Sequence, residues 1–226
     1  MPSLTAQPKA IVFDLDGTLV DTAPDLVGTL FDLLAEMGEA APGFEQCRVH
    51  VSQGVRGLLG CSLGIRPGDD GYEPLRQRFL ELYANRLARQ SELFPGVVEL
   101  LDLIAAADIP WALATNKPER FTTPLIAQLG LMPASGIVLT PDHVVAGKPD
   151  PAMIHLAVNQ LGMVAGDCWF VGDAQQDITA GNLAGVVTAV AGWGYIPADE
   201  PISEWQADIH FSDIAGLLAL ARGWAS

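Results

Sequence analysis

The sequence has 226 residues, half of them hydrophobic, and a formal net charge of -15 at pH 7. This apolar content is enough to bury a core, so a folded protein is expected, and the negative charge argues against a nucleic-acid partner. No apolar run reaches the roughly 20 residues that a membrane span needs, so no membrane is expected either. Met1–Lys9 lacks the pattern of a secretory signal, and the three cysteines lack metal-ligand spacing, so we expect a cytoplasmic protein.

Short apolar runs alternate with helical patterns along most of the chain. Continuous apolar runs favour strands that are buried on both faces of a parallel sheet. In chain order these runs are Ala10–Phe13, Trp111–Ala114, Ile137–Leu139, Cys168–Val171, Val187–Ala191 and Ile209–Phe211. Apolar spacing predicts helices near Val97–Ala107, Glu119–Gln128, Ala152–Leu161 and Gln175–Ala184. The alternation predicts an α/β fold with a Rossmann-like parallel sheet core.

One region breaks this alternation, from about Thr22 to Gln90, because it contains no strong strand pattern. Apolar residues recur there at helical spacing in two stretches, 26–37 and 75–87. We therefore predict an inserted α-helical cap domain at residues 21–91, placed just after the first strand. The catalytic core is then predicted at residues 1–20 and 92–226.

Polar residues follow several predicted strands directly. They are Asp14, Asp16, Thr115, Asn116, Asp173 and Asp177, and Lys148 precedes a helix. In open parallel sheets, ligands bind beyond the carboxyl ends of the strands. Taken singly, such residues are ordinary turn and cap residues. Asp14 nevertheless abuts a buried run, where an acid is costly unless it is paired or bound to a metal.

Together these residues resemble the motifs of the haloacid dehalogenase superfamily of phosphohydrolases, from Ile11 to the last strand. The first motif, Asp14–Leu19, has the sequence Asp-Leu-Asp-Gly-Thr-Leu. The resemblance implies that Asp14 is the nucleophile and Asp16 the general acid and base. It also implies that Thr115 and Lys148 hold the phosphate.

The same resemblance implies a bound Mg²⁺. Its ligands would be Asp14, the backbone carbonyl of Asp16, and Asp173, with Asp177 as a supporting acid. The chemistry agrees, because a carboxylate that attacks an anionic phosphate needs a cation between the two. One departure is Ala174, which stands where family members often have Ser or Asp after the last motif; we expect a modest effect on the metal's surroundings.

The insert resembles the cap of the phosphoglycolate phosphatase branch of that superfamily. Several short segments resemble the N-acetylmuramic acid 6-phosphate phosphatases; they are Ser52–Arg56, Thr115–Pro118, Pro141–Val144 and Gly194–Ile196. A small phosphorylated metabolite is the implied substrate, either phosphoglycolate or N-acetylmuramic acid 6-phosphate. Both carry a carboxylate, which Arg56 is predicted to bind, although a solvated surface arginine is an equal interpretation. Asn116 is a second predicted substrate-binding residue, whereas we interpret Lys117 and Arg120 as rim or solvated charges.

Two alternatives to a phosphatase stay open at this point. A phosphomutase uses the same core motifs and returns the phosphoryl group to a sugar. A non-catalytic protein that binds a phosphorylated metabolite would have lost Asp14, Lys148 or Asp173, and all three are present. The sequence gives no indication of the oligomeric state.

Overall fold

The secondary structure of residues 7–225, described by a computed structural model, alternates strands and helices. The strands are β1 (Ala10–Phe13), β2 (Val20–Asp21), β3 (Glu92–Leu93), β4 (Trp111–Ala114), β5 (Val138–Leu139), β6 (Cys168–Gly172), β7 (Val187–Ala191) and β8 (Ile209–Phe211). The helices are α1 (Ala23–Met37), α2 (Phe44–Arg48), α3 (Gly54–Leu63), α4 (Tyr72–Arg86), α5 (Val97–Ala106), α6 (Glu119–Gln128), α7 (Ala152–Gln160), α8 (Gln175–Ala184) and α9 (Ile214–Trp224). Across these residues, no helix combines the length and the apolar character that crossing a membrane requires. The expectation for Met1–Lys9 lies largely outside the described residues.

The central sheet has six parallel strands in the order β5–β4–β1–β6–β7–β8. Successive side chains of β1 point to opposite faces, as strand geometry requires. Ile11 and Phe13 belong to the apolar cluster that includes residues of α5, α6 and α9, whereas Ala10 and Val12 belong to the cluster with α7 and α8. The predicted Rossmann-like core is therefore confirmed. The sequence analysis did not predict α9.

The strand order reverses at β1, and this reversal locates a crevice. From β1 the chain continues to β4 and β5 on one side of the sheet, and it then returns to β6, β7 and β8 on the other. Ligands of open α/β sheets bind at the carboxyl ends of the strands that flank such a reversal. Phe13 pairs with Val171 across β1 and β6, so Asp14 and Asp173 emerge at the same edge.

The segment between β2 and β3 contains four helices, α1–α4, and no strand. These helices have an apolar cluster of their own, which includes Leu30, Leu58 and Phe79. Phe121 and Tyr195, from outside the insert, also belong to that cluster. We call residues 23–86 the helical insert; its description as a cap domain with boundaries at 21 and 91 stays a prediction.

Both ends of the insert are joined in a way that the sequence did not indicate. β2 and β3 form an antiparallel pair, with Val20 opposite Leu93. Beside this pair, the buried carboxylate of Asp25 accepts hydrogen bonds from the backbone of Gln90 (3.0 Å) and from the backbone and hydroxyl of Ser91 (2.9 and 2.7 Å). Asp25 therefore fastens the start of α1 to the segment that returns to the sheet.

Candidate active site

A buried lysine lies between two carboxylates at the end of β1. Lys148 Nζ donates a hydrogen bond to Asp14 Oδ1 (2.7 Å) and lies 2.7 Å from Asp177 Oδ1. It also donates to the carbonyl oxygen of Ala114 at 2.9 Å. Burial alone would lower the pKa of Lys148, but the charges of Asp14 and Asp177 outweigh burial and raise it. Lys148 is therefore a permanent cation beside Asp14.

Asn116 holds the backbone of Lys148 in place. Its Oδ1 accepts from the Lys148 N–H, and its Nδ2 donates to the Lys148 carbonyl, both at 2.9 Å. A Cβ on Gly147 would come within 2.5 Å of Asn116 Oδ1, so this approach requires glycine. Asn116 thus positions Lys148, and its predicted contact with substrate stays a prediction.

Three buried carboxylates lie close together around the crevice. Oxygen atoms of Asp14, Asp173 and Asp177 lie within 4.8 Å of one another. Burial, opposed by Lys148 and reinforced by Asp177, raises the pKa of Asp14 to about 7. Burial and the charges of Asp14 and Asp177 raise the pKa of Asp173 to about 8. Closely spaced oxygen donors of this kind fit a hard divalent cation such as Mg²⁺.

Asp177 has a second role besides its contact with Lys148. Its Oδ2 accepts a hydrogen bond from the Ala174 N–H at 3.0 Å and so caps the start of α8. This hydrogen bond comes from the backbone N–H of Ala174, so it does not require the Ser or Asp side chain that family members often have at this position.

Asp173 receives hydrogen bonds from both sides of the crevice. Its Oδ2 accepts from the Tyr195 N–H and from the hydroxyl of Ser52, each at 2.8 Å. Ser52 belongs to the short turn Val51–Gln53, so the helical insert contacts the acidic cluster directly. Gly17, with a φ of 90°, also packs directly against Asp173, and a Cβ there would overlap the carboxylate.

The side chain of Asp16 is bound to residues outside the acidic cluster. Its Oδ1 accepts a hydrogen bond from the hydroxyl of Thr22 at 2.6 Å. Lys117 Nζ lies 3.0 and 3.3 Å from its two carboxylate oxygens. Lys117 is only 8% exposed, so its interpretation as a rim or solvated charge is wrong. The sequence did contain a signal that Lys117 belongs to the site, because it is one of three lysines in the chain and directly follows Thr115 and Asn116.

A cavity of about 390 Å³ lies between the helical insert and the ends of the strands. The predicted residues that line it are Asp14, Asp16, Arg56, Thr115, Asn116 and Lys148. The insert contributes a second cation, Arg76, and apolar side chains such as Leu26 and Leu80. Asp173 lines an adjacent cavity of about 310 Å³, and Ser52 and Arg56 border both. A chain of net charge -15 thus gathers four cations, two lysines and two arginines, around one cavity.

Comparison with known proteins agrees with this fold. The haloacid dehalogenase-like hydrolase family matches residues 8–185. An N-acetylmuramic acid 6-phosphate phosphatase from Pseudomonas putida is 40% identical over 201 residues, which cover 89% of this chain and 90% of that protein. A phosphoglycolate phosphatase from Xanthomonas campestris is 35% identical, with 89% and 91% covered. The crystal structure of a predicted phosphoglycolate phosphatase from Haemophilus somnus superposes with a TM-score of 0.80 at 27% identity, and the match covers 95% of this chain and 98% of that one.

The chain therefore belongs to the haloacid dehalogenase-like hydrolases. Within that family it is an enzyme of the phosphoglycolate phosphatase-like group, a phosphoric monoester hydrolase. Family membership and enzyme class, both predicted from the motifs, are confirmed.

Proposed function

We propose that this enzyme is a Mg²⁺-dependent phosphatase that hydrolyses a small phosphate monoester through a covalent aspartyl-phosphate at Asp14. The observation that carries the proposal is the contact of 2.7 Å between Lys148 Nζ and Asp14 Oδ1 within a cluster of three buried carboxylates. A carboxylate with a purely structural role would only be destabilised by the charges of two further carboxylates at this distance. A nucleophile that must meet an anionic phosphate needs both the lysine and a divalent cation.

The carboxylates of Asp14 and Asp173 fit as the metal's ligands, together with the predicted backbone carbonyl of Asp16, and Asp177 supports them through Lys148. A bound Mg²⁺ would supply positive charge that offsets the repulsion between the Asp14 carboxylate and the phosphate. Lys148 contributes a second positive charge, which its buried contacts hold in place. Thr115, buried and on the cavity wall, offers a hydroxyl to a phosphoryl oxygen.

In the first step, a carboxylate oxygen of Asp14 forms a bond to phosphorus while the bond from phosphorus to the ester oxygen breaks. Asp16 gives a proton to the departing oxygen, which leaves as an alcohol. In the second step, Asp16 takes a proton from water as that water attacks phosphorus. The bond from phosphorus to Asp14 breaks, inorganic phosphate is released and Asp14 is a free carboxylate again.

The substrate we propose carries a carboxylate besides its phosphate. The named relatives act on N-acetylmuramic acid 6-phosphate or phosphoglycolate, and both compounds have this second anion. Lys148 is engaged with Asp14, so the second anion needs another cation. Arg56 on α3 is the candidate, because it lines the cavity from the insert, and its planar guanidinium matches a carboxylate. The predicted cytoplasmic location stays part of this proposal.

Product analysis tests the proposed reaction. Inorganic phosphate should appear in the same amount as the substrate consumed, and chelation of divalent ions should stop its release until Mg²⁺ is added. An isomeric sugar phosphate that forms faster than inorganic phosphate would instead support a phosphomutase. Failure to turn over any phosphate monoester, with binding retained, would support the non-catalytic binding protein.

A further inference from the structure

Tyr195, in the loop that follows β7, contacts both the acidic cluster and the start of the helical insert. Its N–H donates a hydrogen bond to Asp173, and its hydroxyl accepts hydrogen bonds from the N–H groups of Thr22 (2.7 Å) and Ala23 (3.0 Å). The first N–H groups of a helix have no partner within that helix, so the Tyr195 hydroxyl caps α1 where it begins. The reaction described above gives Tyr195 no role.

Charged and aromatic neighbours fix the side chain of Tyr195, which is only 2% exposed. Its hydroxyl donates a hydrogen bond to Asp21 Oδ1 at 2.8 Å. Arg48, on α2 of the insert, pairs with the other oxygen of Asp21 at 3.2 Å, and its guanidinium carbon lies 4.8 Å from the centroid of the Tyr195 ring. The ring also packs against Phe94, with 6.3 Å between the centroids. Tyr195 therefore packs as part of the insert, although the two are far apart in sequence.

The N–H and the hydroxyl of Tyr195 have separate partners. A Cβ on Gly194 would overlap Asp173, so the glycine lets the loop bring the Tyr195 N–H up to that carboxylate. The hydroxyl, in contrast, binds only groups at the start of the insert and at the end of β2. Replacing Tyr195 with phenylalanine would therefore remove the contacts with the insert and keep the hydrogen bond to Asp173.

Thr22 connects the Tyr195 hydroxyl to Asp16, the proposed general acid and base. The N–H of Thr22 is bound by Tyr195, and its hydroxyl donates a hydrogen bond to Asp16 Oδ1 at 2.6 Å. Thr22 is fully buried, so both groups depend on these protein partners rather than on solvent. A displacement of the Thr22 backbone would therefore also displace the hydroxyl that holds the Asp16 carboxylate.

We propose that the hydroxyl of Tyr195 positions Asp16 for proton transfer, and that it acts through Thr22 at the point where the insert joins the core. Tyr195 lines the adjacent cavity rather than the one that Asp14 and Asp16 line, so it is a positioning residue. Placement matters because a displacement of about 1 Å can cost a factor of about 100 in rate. The inference rests on the proposed function and makes the acid–base step depend on the position of the insert.

The first test compares Tyr195→Phe with the unmodified enzyme on phenyl phosphate and 4-nitrophenyl phosphate. The departing oxygen of phenol benefits much more from protonation, because 4-nitrophenolate is a stable anion. We therefore expect kcat/KM to fall about tenfold on phenyl phosphate and much less on 4-nitrophenyl phosphate. Partial unfolding would lower both values by the same factor, so it cannot produce this difference. Equal losses on the two esters, or no loss on phenyl phosphate, would overturn the proposal.

Two further variants test the route and the specificity of the effect. Thr22→Val removes the hydroxyl that binds Asp16, so it should give the same selective loss, and combining it with Tyr195→Phe should add little. Asp25→Asn is the matched control, because it weakens the other junction of the insert, at residues 90–91. It should change both esters by the same factor. Fully additive losses in the double variant, or a selective loss in the control, would contradict a route through Thr22.

Measurements without turnover separate the positioning role from the reaction. Urea midpoints of Tyr195→Phe, Asp16→Asn and the double variant form a cycle, and the double variant should shift less than the sum of the single shifts. Mg²⁺ affinity, measured by isothermal titration calorimetry, should stay unchanged in Tyr195→Phe, because the N–H that binds Asp173 is kept. If the unmodified enzyme hydrolyses neither ester, the proposed function fails, and these measurements decide on Tyr195. Additive midpoint shifts, or Mg²⁺ binding weakened about tenfold, would overturn the positioning of Asp16.

Discussion

The hydroxyl of Ser52, in the helical insert, donates a hydrogen bond of 2.8 Å to Oδ2 of Asp173 at the end of β6. The carbonyl of the same serine accepts a hydrogen bond from Gln176 Nε2 at 3.1 Å. The turn that carries Ser52 therefore touches both the acidic cluster and the start of α8. Ser52 therefore links the position of the helical insert to the ionisation of Asp173 in the acidic cluster.

Ser52→Ala should raise the Mg²⁺ concentration needed for half-maximal activity. The bond from Ser52 lowers the pKa of Asp173 and so favours the ionised carboxylate that a cation requires. One hydrogen bond to a charged group is worth about 1.5–3 kcal/mol, so the expected change is about tenfold or more. A Mg²⁺ titration of the rate measures it. Ser62→Ala, whose hydroxyl donates to the Leu58 carbonyl within α3, is the control and should leave the requirement unchanged; a shift in both variants, or in neither, would contradict this role.

The stabilisation that Mg²⁺ gives to the fold should increase with pH. The raised pKa values of Asp14, about 7, and Asp173, about 8, mean that the metal-free folded state binds protons more tightly than the unfolded chain. Without metal, the stability from these groups is present below the ordinary carboxyl pKa of 3.8 and is lost as pH rises through about 7 to 8. Mg²⁺ binds the ionised carboxylates, so it should offset that loss of stability mainly at the upper end of this pH range.

Thermal unfolding with Mg²⁺ or a chelator, at about pH 5.5 and about pH 8.5, measures this effect. The shift in midpoint caused by Mg²⁺ should be clearly larger at the higher pH, and Asp173→Asn should reduce it. Equal shifts at both pH values would be inconsistent with proton displacement from these carboxylates.

Much of this architecture could be predicted because it depends on local pattern. Uninterrupted apolar runs locate the strands of a sheet buried on both faces, and β4 and β7 have the bounds that were predicted. The β2–β3 pair could not be found in this way, since two residues per strand carry no periodicity. Met37, in the last turn of α1, continues the apolar pattern of that helix but is 42% exposed. Its burial could not be predicted from the pattern, because burial at a helix end depends on which other element covers it.

The site residues could be predicted where a sequence motif directly follows a strand. They were harder to predict where the site is formed by parts of the chain that are far apart in sequence. Asp14 directly follows β1, and Lys148 lies in the loop between β5 and α7, which reaches the same edge of the sheet. The burial of Lys117 depends on Asp16, 101 positions earlier, and on Tyr83 from the insert. Tyr83 itself fits the apolar pattern of α4, so nothing in its spacing separates a core tyrosine from one that faces a cavity.

Asp25→Asn should destabilise the protein and loosen the junction between α1 and residues 90–91. The buried carboxylate accepts hydrogen bonds from two backbone N–H groups and one hydroxyl, and an amide leaves part of this set unsatisfied. The free energy of unfolding should fall by about 1–3 kcal/mol. Urea denaturation measures it, with Asp32→Asn as the control, since Asp32 is half exposed and pairs with Arg86 at the surface. Equal effects of the two substitutions would exclude a special role for Asp25.

Arg56→Ala should lower kcat/KM for N-acetylmuramic acid 6-phosphate by about tenfold or more if Arg56 binds its carboxylate, since a desolvated charge pair is worth at least about 2 kcal/mol. The loss on phenyl phosphate, which has no carboxylate, should be much smaller. Arg56 is exposed and lies at the border of both cavities, so movement of the helical insert onto the substrate is required for the full effect. Arg89→Ala, an exposed arginine outside both cavities, is the control; equal losses on the two substrates would leave Arg56 as a surface residue.

The covalent intermediate is the central claim, and trapping it is the most direct test. The enzyme should be mixed with substrate and Mg²⁺, quenched in acid within one turnover, and analysed by mass spectrometry after digestion. We predict one phosphoryl group on the peptide that contains Asp14, removable by hydroxylamine as an acyl phosphate, and absent from Asp14→Asn, which should also lack turnover while keeping its fold by circular dichroism. Turnover by Asp14→Asn within tenfold of the unmodified enzyme, or a phosphoryl group on any other residue, would contradict the account.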